Sequence, residues 1–178
     1  MKVVAVLYPG GAAAQETPEL LGCAENALGL RDFLESAGHE LVALTDAGSG
    51  LESQLPTTDV LIATPFWPAY ITRERIEMAP NLKLLLIAGV GSDHFDLAAA
   101  AERNTTVAEI TGSNVVSVAE HVVMQILTLV RNSLPAYQEV VDGGWDIGKI
   151  AARSHHLEDK SVGIVGMGRI GQRVAARL

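Results

Sequence analysis

The chain has 178 residues and a formal net charge of −8, enough for one ordinary domain or for one and part of a second. Hydrophobic residues make up 48% and charged residues 19%, a globular composition able to build a core, and there is no basic run of the kind a nucleic-acid surface needs. Cys23 is the only cysteine, which excludes a disulfide framework and a thiolate zinc site and fits a reducing, cytoplasmic setting. The apolar run Val3–Leu7 is too short for a signal peptide, and no run approaches the roughly 20 residues of a membrane span.

In chain order, Val3–Tyr8 is continuously apolar and ends at Pro9-Gly10-Gly11, which predicts a buried parallel strand. Glu25–Ala37 carries Leu28, Leu30, Phe33 and Leu34 at helical spacing and stops at Gly38. Glu40–Leu44 and Val60–Ala63 predict two further strands, Arg73–Ala79 a short helix stopped by Pro80, and Lys83–Ala88 a fourth strand running into Gly89-Val90-Gly91. Asp96–Arg103 is an alanine-rich helix and Thr105–Ile110 a fifth strand. Strands alternating with helices mean an α/β fold with a parallel sheet. Ligands of such sheets sit beyond the carboxyl ends of the strands. That places three segments at a site: residues 64–68, 89–92 and 111–114.

Ser117–Asn132 is the longest predicted helix. Ser117 with Glu120 has the form of a capping box. Its apolar residues cover more than one face, as in a helix buried between layers, domains or subunits. Pro135–Arg153 is mixed, with a break at Gly143-Gly144. His155-His156 lacks a third ligand at useful spacing and reads as an exposed loop.

Ser161–Val165 predicts another strand. It leads into Gly166-Met167-Gly168-Arg169-Ile170-Gly171 and then a helix over Gln172–Leu178. This is G-x-G-x-x-G in a strand–turn–helix setting, the pattern of a dinucleotide site. The first glycine allows a tight turn, the second lets the backbone approach a pyrophosphate, and the third lets helix and strand pack closely. The helix N-terminus offers N–H groups to the phosphates. An acidic residue for the ribose would fall about 20 residues on, past Leu178, so the turn by itself serves NAD or NADP.

Three segments carry a family resemblance. Thr64-Pro65-Phe66-Trp67-Pro68-Ala69-Tyr70 resembles the substrate loop of NAD-dependent formate dehydrogenases. The stretch from Pro80-Asn81-Leu82 to Gly91-Ser92-Asp93-His94 resembles their next loop. Thr111-Gly112-Ser113-Asn114 through Met124 is similar to their hinge and long helix, most closely of the fungal type. The broader family is the D-2-hydroxyacid dehydrogenases, and the Pro-Phe-Trp-Pro loop narrows it to formate. The resemblance implies a flavodoxin-like substrate domain over about residues 1–112. Residues 113–178 would then hold the inter-domain helix and the beginning of a Rossmann nicotinamide domain, with NAD as cofactor and a homodimer formed near the long helix.

By the same resemblance, Pro65 and Phe66 wall the pocket and the backbone N–H of Val90 contacts formate. Asn114 is the catalytic, formate-binding amide. Val115 and Val118 lie near the nicotinamide, and Gly166, Gly168, Arg169, Ile170 and Gly171 hold the pyrophosphate. His94 and His121 are structural. Read without the resemblance, Val118 suits core packing, Asn114 a helix start, and Arg169 a solvated charge. An arginine that grips formate and a histidine–glutamine pair are also implied, and none can be matched within these residues. The 178 residues are therefore expected to be part of a longer enzyme and inactive by themselves. The alternatives are another D-2-hydroxyacid dehydrogenase, or a non-catalytic dimerising module built on the long helix.

Overall fold

The computed structural model describes residues 1–7, 29–44, 50–64 and 69–178. Tyr8, Cys23, the expected helix start at residues 25–28 and the loop Pro65-Phe66-Trp67-Pro68 lie outside them. The chain divides into two compact units, Met1–Thr111 and Gly112–Leu178.

The first unit is a sheet of five strands: β1 (Lys2–Val6), β2 (Glu40–Leu44), β3 (Val60–Ala63), β4 (Leu84–Ile87) and β5 (Thr106–Glu109). All neighbours are parallel and the order is β2-β1-β3-β4-β5, the flavodoxin-like arrangement expected. The helices between the strands are α1 (Leu30–Ser36), α2 (Leu51–Gln54, continued by a 3-10 turn Leu55–Thr57), α3 (Arg73–Glu77) and α4 (Leu97–Glu102).

Alternation along the strands builds two cores. Val4, Val6, Leu61, Ala63, Leu85 and Ile87 face one side, where Leu51, Leu55, Ile76 and Ala99 of the helical segments close over them. Val3, Ala5 and Ile62 face the other side, with Leu30 and Leu34 of α1 packed against them. Strands covered on both faces must be apolar at every position, which explains the unbroken runs in β1 and β3. At the amino end of the sheet, Asp59 accepts from the Lys2 N–H and from Lys83 Nζ, each at 2.8 Å, joining β1, β3 and β4.

The second unit contains α5 (Val115–Val130), α6 (Ser133–Val141), α7 (Ile147–Ala151) and α8 (Arg169–Ala175). Pro135 sits in the first turn of α6, where its missing N–H costs nothing. Three expectations are corrected here. The long helix starts at Val115, not Ser117; the Ser117 hydroxyl donates back to the Asn114 carbonyl at 3.3 Å, so no capping box forms. The expected burial of α5 between layers, domains or subunits is a separate matter: within this chain only Ala119 of the helix is buried. Ser161–Val165 is not a strand. A strand exists only through a neighbour that takes its backbone hydrogen bonds, and among the described residues none lies beside this segment. The helix after it begins earlier than expected, at Arg169. No helix among the described residues is long and apolar enough to cross a membrane.

Candidate functional site

The first group of expected site residues lies at the carboxyl ends of β4 and β5. There the chain leaves β4 through Gly89-Val90-Gly91, with Gly91 at φ 101°, a conformation open to glycine and costly for other residues. The turn is held twice. The Gly89 carbonyl accepts from Ile110 N at 2.9 Å, and the Gly91 N–H donates to Glu109 Oε2 at 2.8 Å. The other oxygen of Glu109 accepts from the Thr111 hydroxyl at 2.6 Å. These two donors, the hydroxyl first, hold the Glu109 carboxyl below its ordinary value of 4.5. Glu109 therefore clamps the loop as a carboxylate. The N–H of Val90, between the two fixed glycines, has no acceptor among the described residues.

Sequence reasoning assigned Glu109 no role. The signal was there: an acidic residue ends a strand at the edge of the sheet where ligands bind. Arg75 was also passed over. It donates to the Tyr70 carbonyl at 2.6 Å and to Glu52 Oε1 at 2.6 and 3.0 Å, bracing the chain just after the expected substrate loop. Pro65 and Phe66 themselves lie outside the described residues.

His94 follows the β4 loop and is 3% exposed, its ring against Phe95 with centroids 4.3 Å apart. Among the described residues neither ring nitrogen has a hydrogen-bond partner, so the structural role expected for it rests there on packing. Burial pushes its pKa down from 6.5, against the opposing pull of Asp93. His121 is exposed, with Nε2 3.2 Å from the Gln125 side-chain nitrogen.

The second unit gathers the remaining site residues. Asn114 is the residue before α5 and its side chain makes no capping bond, so the helix-start reading explains its position but not its amide. Val115 and Val118 lie in the first turn of α5 and are partly buried. This helix packs on α8, and Arg177 of the α8 end reaches Glu120 at 3.4 Å. The Gly-rich turn thus stands beside the first turns of the long helix.

The three glycines of the turn differ in what demands them. Gly166 has φ 93°, which requires glycine by conformation. A Cβ on Gly171 would overlap the carbonyl oxygen of Gly166 and come within 3.5 Å of Ile164 Cγ2, so Gly171 is required by packing. Gly168 has φ −80° and ψ −158°, ordinary extended values, and a Cβ there would meet no described atom within 4 Å. Nothing in the fold asks for glycine at 168; its bare backbone is open to whatever approaches the turn. Arg169 and Ile170 start α8, Arg169 exposed and Ile170 partly buried beside the buried Gly171 and Val174. Among the described residues no group of three metal-ligating side chains occurs.

Comparison with known proteins identifies the family. Residues 29–175 match the family described as D-isomer specific 2-hydroxyacid dehydrogenase, catalytic domain. The chain is 54% identical to formate dehydrogenase of Pichia angusta, covering 100% of this chain and 51% of that protein. It is 55% identical to the chloroplastic/mitochondrial formate dehydrogenase of Arabidopsis thaliana, covering 99% and 47%. The crystal structure of NAD-dependent formate dehydrogenase from Staphylococcus aureus in complex with NAD superposes with a TM-score of 0.89 at 53% identity, covering 99% of this chain and 53% of that one. The chain spans about half the length of the curated relatives it matches.

Proposed function

The chain belongs to the D-isomer specific 2-hydroxyacid dehydrogenase family, and from that premise we propose that it is the amino-terminal portion of an NAD-dependent formate dehydrogenase. The observation that carries this reading is the likeness along the whole chain to proteins named formate dehydrogenase. The Gly-rich turn supports the cofactor separately, since Gly168 leaves room that the fold itself does not need.

On this reading residues 1–112 are the substrate domain, and residues 113–178 are the crossing helix and the start of the nicotinamide domain. Bound NAD supplies a hydride acceptor at C4 of its nicotinamide. The chain's own residues do the rest of what this half contributes. Gly166, Gly168 and Gly171 shape the turn under the pyrophosphate, Ile170 seats the helix behind it, and Arg169 adds a guanidinium. Val115 and Val118 give the nicotinamide an apolar neighbour. Formate is held by the Val90 N–H and the Asn114 amide, while Pro65 and Phe66 keep out water and larger acids.

Formate loses its hydrogen with both bonding electrons and leaves as carbon dioxide; no proton is transferred. An anion and a cation both lose their charge on the way, so neutral donors suit the substrate better than a tight ionic grip. An apolar pocket disfavours the charged reactants relative to the more neutral transition state. Orientation of the two partners supplies much of the remaining acceleration. The arginine and the histidine–glutamine pair implied by the resemblance have no counterpart among these residues, so residues 1–178 alone are expected to be inactive.

The partner on this reading is a second copy of the protein. Met124, Leu127 and Leu129 of α5 and Leu134 and Tyr137 of α6 are exposed, an apolar surface of the kind that marks association. The single cysteine suits a reducing compartment, and a cytoplasmic one is part of this reading. A substrate panel on the full-length protein tests the assignment. Formate should reduce NAD, and D-lactate or D-glycerate should not. Faster oxidation of a D-2-hydroxy acid would move the protein elsewhere in its family.

A further inference from the structure

Gly112 opens the second unit and has φ 98°. A Cβ built on it would lie 3.1 Å from Nη1 of Arg169, closer than most real Cβ contacts. The guanidinium of Arg169 is therefore seated against the bare Cα of Gly112. The three arginines of this region behave differently. Arg173 donates to the Arg169 carbonyl at 2.9 Å, and Arg177 donates to the Arg173 carbonyl and reaches Glu120. Arg169 alone has no acceptor for its guanidinium among the described residues. A planar cation with its donors free and one terminal nitrogen set beside a bare Cα is suited to paired recognition of phosphate oxygens.

We propose that Gly112 is a positioning residue for dinucleotide binding: it is the seat that holds the Arg169 guanidinium at the Gly-rich turn. This rests on the reading of Arg169 as a pyrophosphate ligand and deepens it. Arginine has a long side chain whose ordering opposes binding. A seat formed before the cofactor arrives removes part of that cost, and glycine leaves the guanidinium room that a Cβ would take. A Cβ at 112 would press on the guanidinium, which must give by a few tenths of an ångström, and the positive φ strains the backbone as well.

A double-mutant cycle separates these two effects. The dissociation constant of NAD is measured by calorimetry on the full-length protein, together with its thermal midpoint. Arg169→Ala should weaken NAD binding. Gly112→Ala should weaken it about three- to tenfold when Arg169 is present, the scale of ordering one long side chain, and not at all when residue 169 is alanine. Its thermal midpoint should fall equally in both backgrounds, because backbone strain does not depend on Arg169. An equal loss of NAD affinity in both backgrounds overturns the proposal and leaves the role of Arg169 standing. An unchanged dissociation constant in Arg169→Ala overturns the phosphate reading and the seat with it. Should Gly112→Ala fail to fold, nuclear Overhauser contacts between the Gly112 Hα protons and the Arg169 side chain in the unmodified protein decide: their presence supports the seat, their absence refutes it.

Discussion

At the scale of single residues, the Gly-rich turn makes opposite demands within six positions. Gly171→Ala should destabilise the second unit by about 1–3 kcal/mol, the range for overpacking a tight contact, because the new methyl meets the Gly166 carbonyl. Gly168→Ala should leave stability unchanged and weaken NAD binding; calorimetry and a melting curve on the same samples distinguish the two. Glu109→Gln keeps the size but loses one of two acceptors, so the β4 loop loosens. The expected result is a raised KM for formate with an unchanged KM for NAD. Glu109 has its carboxyl pKa lowered by Thr111 and Gly91, so its clamp is fully present above pH 4.5 and lost as the pH falls through the lowered value. His94 acts in the same direction, in a higher pH window. Its folded pKa lies below 6.5, so from pH 6.5 downward the unfolded chain binds the proton first and stability falls. His94→Phe should flatten that slope in denaturant titrations between pH 7 and 5. Removing two buried nitrogens that have no partner among the described residues should also leave stability at pH 7 equal or higher; a marked loss there would show that the ring has a partner.

At the scale of elements, the strands were the most legible part of the sequence. β1 and β3 are buried on both faces and β4 fully on one and partly on the other, and their unbroken Val, Leu, Ile and Ala runs state that directly. The failures lie where a local pattern needed something outside itself. Ser117 and Glu120 satisfied a capping pattern, but the Thr111–Asn114 turn lets the helix begin earlier, at Val115. Ser161–Val165 has the composition of a strand without a neighbour to pair with, and Val165 is fully exposed. Hydrogen exchange on residues 1–178 should find the amides of 161–165 unprotected and those of β1, β3 and β4 slowest. In the full-length protein the 161–165 amides should become protected, as neighbouring strands supply acceptors. Fast exchange there in both forms would contradict the nicotinamide-domain reading of this segment.

At the scale of the whole molecule, the parallel sheet and the position of its ligand-facing ends followed from periodicity and topology, as did the Gly-rich turn. The substrate did not. Pro65, Phe66, Val90 and Asn114 have ordinary structural uses as loop, turn and helix-start residues, and only the resemblance joined them into a formate pocket. Glu109 and Gly112 were hidden for another reason: their roles come from contacts with Gly91, Thr111 and Arg169 that no spacing rule expresses. The proposed function comes down to one reaction, direct hydride transfer from formate. The full-length protein incubated with deuterated formate and NAD tests it, with the products read by proton NMR and mass spectrometry. The account predicts NADH carrying one deuterium at nicotinamide C4, released with one equivalent of carbon dioxide and with no deuterium passing to water. NADH without the label, or no formate-dependent NADH at all, would contradict it.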